Sequence, residues 1–132
     1  MMLEMVLVPV FMGGSPWGPP RMIAAIVMGK SVLPPPDTFA LAPVMVAMLI
    51  HLMLSIVLSI VLALLVARLG TGAAVMVGAV FGLVLYVINF YGMTAVFPWF
   101  AMARNWVTIF AHVMFGAVAA LSYGWLRRSR LN

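Results

Sequence analysis

Four polar side chains sit inside otherwise apolar stretches of this 132-residue chain: Glu4, His51, Asn89 and His112. A carboxylate and two imidazoles could pass protons, because histidine titrates near neutral pH. They could also ligate a metal. Imidazole suits zinc, copper or iron, and Glu4 would complete a two-histidine, one-carboxylate set. Two histidines on facing helices could hold a haem. A further role needs no ligand. Each polar group could bond a neighbouring helix as packing glue, at about 0.6 kcal/mol per bond on average. No His-x-x-x-His spacing occurs, so His51 and His112, the two residues a metal could take, belong to different segments. The expectation is therefore no cofactor, with a haem or metal ion on His51 and His112 as the alternative. There is no cysteine, no nucleophile–base pair, and no Gly-rich loop following a strand. Enzymatic activity is not expected.

The elements that position these residues follow from composition. Hydrophobic residues make up 67% of the chain and charged residues 7%, against about 45–50% and 25% in soluble domains. Mean hydropathy is +1.25. So few charges could not cover such a core in water, which excludes a soluble enzyme, a nucleic-acid binder or a disordered tail. The net charge of +5 reads as membrane topology, not nucleic-acid binding. The predicted fold is all-α: a polytopic transmembrane helical bundle forming one domain over residues 1–132, with the lipid bilayer as its first partner. Four spans are expected, at about 1–12, 43–67, 73–97 and 106–126. The first is short for a hydrocarbon core of about 30 Å. Gly13 to Pro20 breaks it with three prolines and three glycines. A short helix over 21–30 lies in the first outer loop, interfacial or re-entrant, and Pro34-Pro35-Pro36 follows as a stiff segment.

Orientation follows from the basic residues. Arg68, Arg127, Arg128 and Arg130 fall on one side, and Arg21, Lys30 and Arg104 on the other, offset by Asp37. The positive-inside rule then predicts both termini in the cytoplasm. Trp17, Trp99 and Trp106 would lie at the outer interface and Trp125 at the inner one. At about 1.5 Å per residue, Glu4, His51, Asn89 and His112 all lie roughly 9–14 Å below the outer interface. Tyr86, Tyr91, Ser55 and Thr108 fall near the same level.

Three spans carry small or polar residues every fourth position. One reads Pro43, Ala47, His51, Ser55, Ser59, Ala63, Ala67. The next has Ala74, Gly78 and Gly82. The last reads Thr108, His112, Gly116, Ala120, Gly124. Small residues at this spacing let helix backbones approach, within one bundle or between copies. His51 and His112 lie in these stripes and should face the interior, while Leu62 should face lipid. A weak parallel repeat also overlays two helix pairs. Ser15-Pro16-Trp17 with Arg21 matches Phe97-Pro98-Trp99 with Arg104, and His51 then overlies His112.

The stretches Gly13-Gly-Ser-Pro-Trp-Gly-Pro-Pro-Arg-Met-Ile-Ala-Ala-Ile26, Leu33-Pro-Pro-Pro36, Asn89-Phe-Tyr-Gly92 and Phe97-Pro-Trp-Phe100 resemble a family of small, uncharacterised bacterial inner-membrane proteins. Some members carry the label "sodium:proline symporter", although sodium/solute symporters have many more helices. The resemblance covers nearly the whole chain. It implies a four-helix inner-membrane protein and no particular activity. It also implies more apolar residues before Met2-Leu3-Glu4-Met5, so that Met1 is an internal start and the first span is truncated. The expected function is that of a non-enzymatic membrane component: an accessory subunit of a larger membrane complex, or a small transporter acting as a homo-oligomer.

Overall fold

A computed structural model describes residues 1–129; Arg130 lies outside them. The described chain forms five α-helices: α1 (Met2–Met12), α2 (Gly18–Met28), α3 (Leu41–Val66), α4 (Thr71–Val87) and α5 (Trp106–Ser129). Short segments of tighter or wider helix lie at Lys30–Val32, Ile88–Gly92, Met93–Ala95 and Pro98–Ala103. There is no strand among the described residues. Three helical stretches are long and apolar enough to cross a membrane: Leu41–Val66, Thr71–Ala95 and Trp106–Ser129. Their 24 to 26 residues rise about 36–39 Å, more than a hydrocarbon core of about 30 Å.

Local chemistry sets the ends. Gly13 closes α1 with φ of 65°, the left-handed conformation that favours glycine. Pro19 and Pro20 stand in the first turn of α2, where a missing N–H costs nothing. That helix therefore starts at Gly18, earlier than the expected 21, and Gly29 stops it before Lys30. Asn105 begins α5, its Oδ1 accepting the Thr108 N–H at 3.0 Å. The largest departure is in the span expected at 73–97. Regular α-helix ends at Val87, and Ile88–Gly92 widens into a π turn before a 3₁₀ turn over Met93–Ala95.

Helices α4 and α5 form the tightest contact. A Cβ at Gly78 would meet the Gly116 carbonyl and, at 2.8 Å, the Ala120 Cβ. One at Gly82 would strike the His112 carbonyl, and one at Gly116 the Gly78 carbonyl. The two backbones touch because these positions have no side chains. The expected stripe ends sooner than its sequence: nothing lies within 4 Å of a Cβ at Gly124. Close packing stops at Ala120.

In α3 the inner face changes register. Pro43 and Ala47 are buried, and His51, Ser55 and Ser59 half-buried. The core then moves to Leu62 and Val66, packed with Ala74 and Ala120. Leu62 is 1% exposed, which corrects its expected lipid-facing position. A spacing of four advances about 40° per step on a helix of 3.6 residues per turn. Over several steps that drift carries the interior face onto spacing three. Leu64, at 75% exposed, and Met45, Leu49, Leu52, Ile56 and Ile60 make the outer face wholly apolar. This is the surface that hydrocarbon suits.

Contacts also sort the two ends of the bundle. Phe11 at the end of α1 packs on Trp106 at the start of α5, with ring centroids 5.4 Å apart. Ser15 Oγ donates to the Asp37 carbonyl at 2.6 Å, and Trp17 packs on Phe39. Trp17, Trp99 and Trp106 therefore mark one end. At the other, Arg127 reaches the Ala67 carbonyl and Arg128 the Thr71 hydroxyl.

Replacing Gly78 or Gly116 by Leu should destabilise the fold by at least about 1–3 kcal/mol, the usual cost of overpacking. Leu64→Ile, on the exposed face, should leave stability unchanged. Thermal melting in mild detergent measures both. A wild-type melting curve for Gly116→Leu would overturn the assigned α4–α5 contact.

Candidate functional site

The glycine contact decides where His112 stands. It lies one turn from Gly116, with its carbonyl against Gly82. The imidazole Nδ1 donates to the Thr108 carbonyl at 2.9 Å. A carbonyl can only accept, so the proton of the neutral ring is on Nδ1. Nε2 is then an acceptor, and Asn89 Nδ2 donates to it at 3.3 Å. Both ring nitrogens are thus engaged. Tyr86 and Phe90 close over the ring edge-on, with centroids 5.9 and 5.4 Å away.

Asn89 can reach His112 because it lies in the π turn. One extra residue per turn rotates the following side chains relative to a regular helix. The same turn frees backbone acceptors. Arg104 Nε donates to the Phe90 carbonyl at 2.6 Å, and its terminal nitrogen to Thr94 Oγ1 at 3.0 Å. The Arg104 guanidinium also sits 4.1 Å from the centre of the Tyr91 ring. Thr108 completes the arrangement, its hydroxyl donating to the Ala103 carbonyl at 2.7 Å.

Glu4 is buried in α1 and lines a small cleft, about 60 Å³, with Phe90, Phe100, Asn105 and Thr108. Its Oε2 is 3.0 Å from the Met1 ammonium. His51 is half-buried on α3. Glu4 shares that cleft with Phe90 and Thr108, both of which contact His112. Of the four expected residues, only Asn89 and His112 are joined directly by a hydrogen bond. Among the described residues, no three His, Asp or Glu side chains converge closely enough to hold one metal ion. The set of Glu4, His51 and His112 is not assembled as ligands in this conformation.

The two members of the expected repeat differ here. Each Pro-Trp motif leads into a short helix, α2 or Pro98–Ala103. Each nearby arginine binds loop carbonyls: Arg21 holds Thr38 through Nε at 3.0 Å and Val32 at 3.2 Å, while Arg104 holds Phe90. The helix pairs do not match. Helices α4 and α5 meet through glycines, whereas α1 packs on α5 and α2. A contact the sequence did not signal joins the two loops, with Trp99 Nε1 donating to the Met22 carbonyl at 3.0 Å. The π turn and the Arg104 bonds were also missed. Asn105 was legible in principle, as a capping residue three positions before Thr108.

The direct pair can be measured. His112→Leu and Asn89→Leu should each lower stability. In the double variant the losses should fall short of additive by about 0.6–1.7 kcal/mol, the range for hydrogen bonds between membrane helices. Additive losses would mean that the two side chains do not bond. No protein-family model, curated protein or solved structure matches the chain.

Proposed function

We propose that this chain is a non-enzymatic, multi-pass protein of the bacterial inner membrane that works as part of a larger assembly. That assembly is either a complex with a different, larger membrane protein or a homo-oligomer with a transport path between copies. In this reading α1 counts as a short fourth span and α2 lies in the outer loop as an interfacial or re-entrant helix. Both termini face the cytoplasm, and the tryptophan-marked end faces out. The resemblance to small four-helix inner-membrane proteins agrees with it.

One observation carries the reading. The α4 and α5 backbones are in contact at Gly78, Gly82 and Gly116, so no solute path runs between these two helices. A path formed between this chain and another fits that packing. The polar layer then serves mainly to fix helix packing.

Purification in a mild detergent, followed by mass measurement of the intact particle, tests this. The expected particle exceeds the 14.3 kDa chain, either as a multiple of it or with a distinct larger protein. A monomer with no partner, both in detergent and after crosslinking in native membranes, would sink the proposal. Reporter fusions test the orientation separately. A fusion at Gly70 should read cytoplasmic and one beside Asp37 periplasmic. The reverse pattern would invert the bundle.

A further inference from the structure

We propose that the arginine-lined cleft at the end of the bundle away from Trp17 and Trp99 binds the phosphate of an acidic phospholipid headgroup. The cleft, about 50 Å³, opens between the α3–α4 turn and the last turns of α5. Val66 and Tyr123 supply its apolar wall, Gly124 lies along it, and Thr71, Arg127 and Arg128 form its polar mouth.

The arginines are positioned but not used up. Arg127 donates to the Ala67 carbonyl, and Arg128 to Thr71 Oγ1 at 2.7 Å. A guanidinium carries five N–H donors in a planar fork, so each keeps most of its donors for a ligand. Helix α4 begins at Thr71, and its first amides add positive potential to the same mouth.

Among the described residues, no acidic side chain lies at that end. Only two acidic side chains exist, Glu4 and Asp37. Glu4 lines a cleft with Pro19, Phe100 and Asn105, and the Asp37 backbone is bonded to Ser15, both at the opposite end. Arg68 adds a third positive charge to the α3–α4 turn. The described side chains at this end therefore carry an excess of positive charge that an anion would balance. Trp125, at 68% exposed, and Leu126 mark the hydrocarbon boundary beside the cleft. Phospholipid phosphates lie just beyond that boundary. Arginine binds phosphate through paired N–H donors, and basic pockets between helices at a membrane surface suit anionic headgroups. The wall of Val66 and Tyr123 would carry the start of the glycerol backbone. The proposal rests on the long membrane-crossing helices alone. It does not need any assembly, or a particular leaflet.

The full chain, purified in mild detergent, is titrated with phosphatidylglycerol and with phosphatidylcholine of the same acyl chains, and bound lipid is counted by native mass spectrometry. Phosphatidylglycerol should be retained roughly 10- to 30-fold better, as two arginines near the surface imply. The Arg127→Gln/Arg128→Gln double variant should lose the preference. Gly124→Leu should lose it too, with an unchanged melting temperature, because its Cβ meets nothing within 4 Å while its side chain blocks the cleft. Lys30→Gln, at an exposed site remote from the cleft, should keep it. Equal binding of the two lipids would overturn the proposal. So would a preference that survives Gly124→Leu, which would reflect charge without a cleft. Displacement of phosphatidylglycerol by millimolar inorganic phosphate would also overturn it, by identifying a site for the free ion.

Discussion

The contact of two backbones, Gly78 and Gly82 of α4 against Gly116 of α5, governs the rest of the bundle. Hydrocarbon gives apolar side chains no reason to leave it, so these helices associate by close packing and by polar bonds. Glycine allows the packing, and it brings Cα–H groups against facing carbonyls, a weak attraction of its own. It also fixes a register. With Gly82 against the His112 carbonyl, the His112 ring can meet only residues a turn or two beyond Gly82. Asn89 is the polar side chain that it meets.

A second constraint acts where the helices end. Backbone polar groups near hydrocarbon need partners, because lipid supplies none. The π and 3₁₀ turns after Val87 free carbonyls, and Arg104 takes the one at Phe90. In the first loop, buried Arg21 serves the carbonyls of Val32 and Thr38. Trp99 ties the two regions by donating to Met22. Basic residues that look like topology signals in the sequence are thus also clamps on irregular backbone. One side chain can do both, since snorkelling charge and carbonyl binding use different faces of the same guanidinium.

Legibility divides along the same lines. The three long spans were plain, because twenty or more apolar residues in a row have few other uses. The small-residue stripes located the α4–α5 contact, since glycine at spacing four is a local property of each helix. Leu62 was misplaced because helical drift accumulates beyond a few turns, and a fixed spacing of four ignores it. The π turn was invisible: Ile88–Gly92 reads as ordinary helix continuing toward Pro98. The widened turn coincides with two tertiary bonds, Arg104 donating to the Phe90 carbonyl and Asn89 to His112. Pro20 was legible as the opening residue of the short helix, and the structure moves that start two residues earlier, to Gly18, with Pro19 also in the first turn. In the candidate site, depth singled out Glu4, His51, Asn89 and His112. It could not say which pair would bond, because that depends on the rotation of each helix.

The bonding of His112 bears on what the polar layer can do. In the neutral ring, Nδ1 gives its proton to Thr108 and Nε2 accepts from Asn89. A metal would need one of those lone pairs, and so would break a bond that lipid cannot replace. A second proton on Nε2 would face the Asn89 amide donor, and the amide would have to turn over and present its oxygen. That rotation keeps both groups satisfied, so the pair can hold either protonation state without moving a helix. Full satisfaction at His112 thus argues for packing first, and it leaves proton transfer as the only chemistry the pair could do without coming apart. Among the described residues, neither Glu4 nor His51 is bonded to the ring, which has Thr108 and Asn89 as its partners.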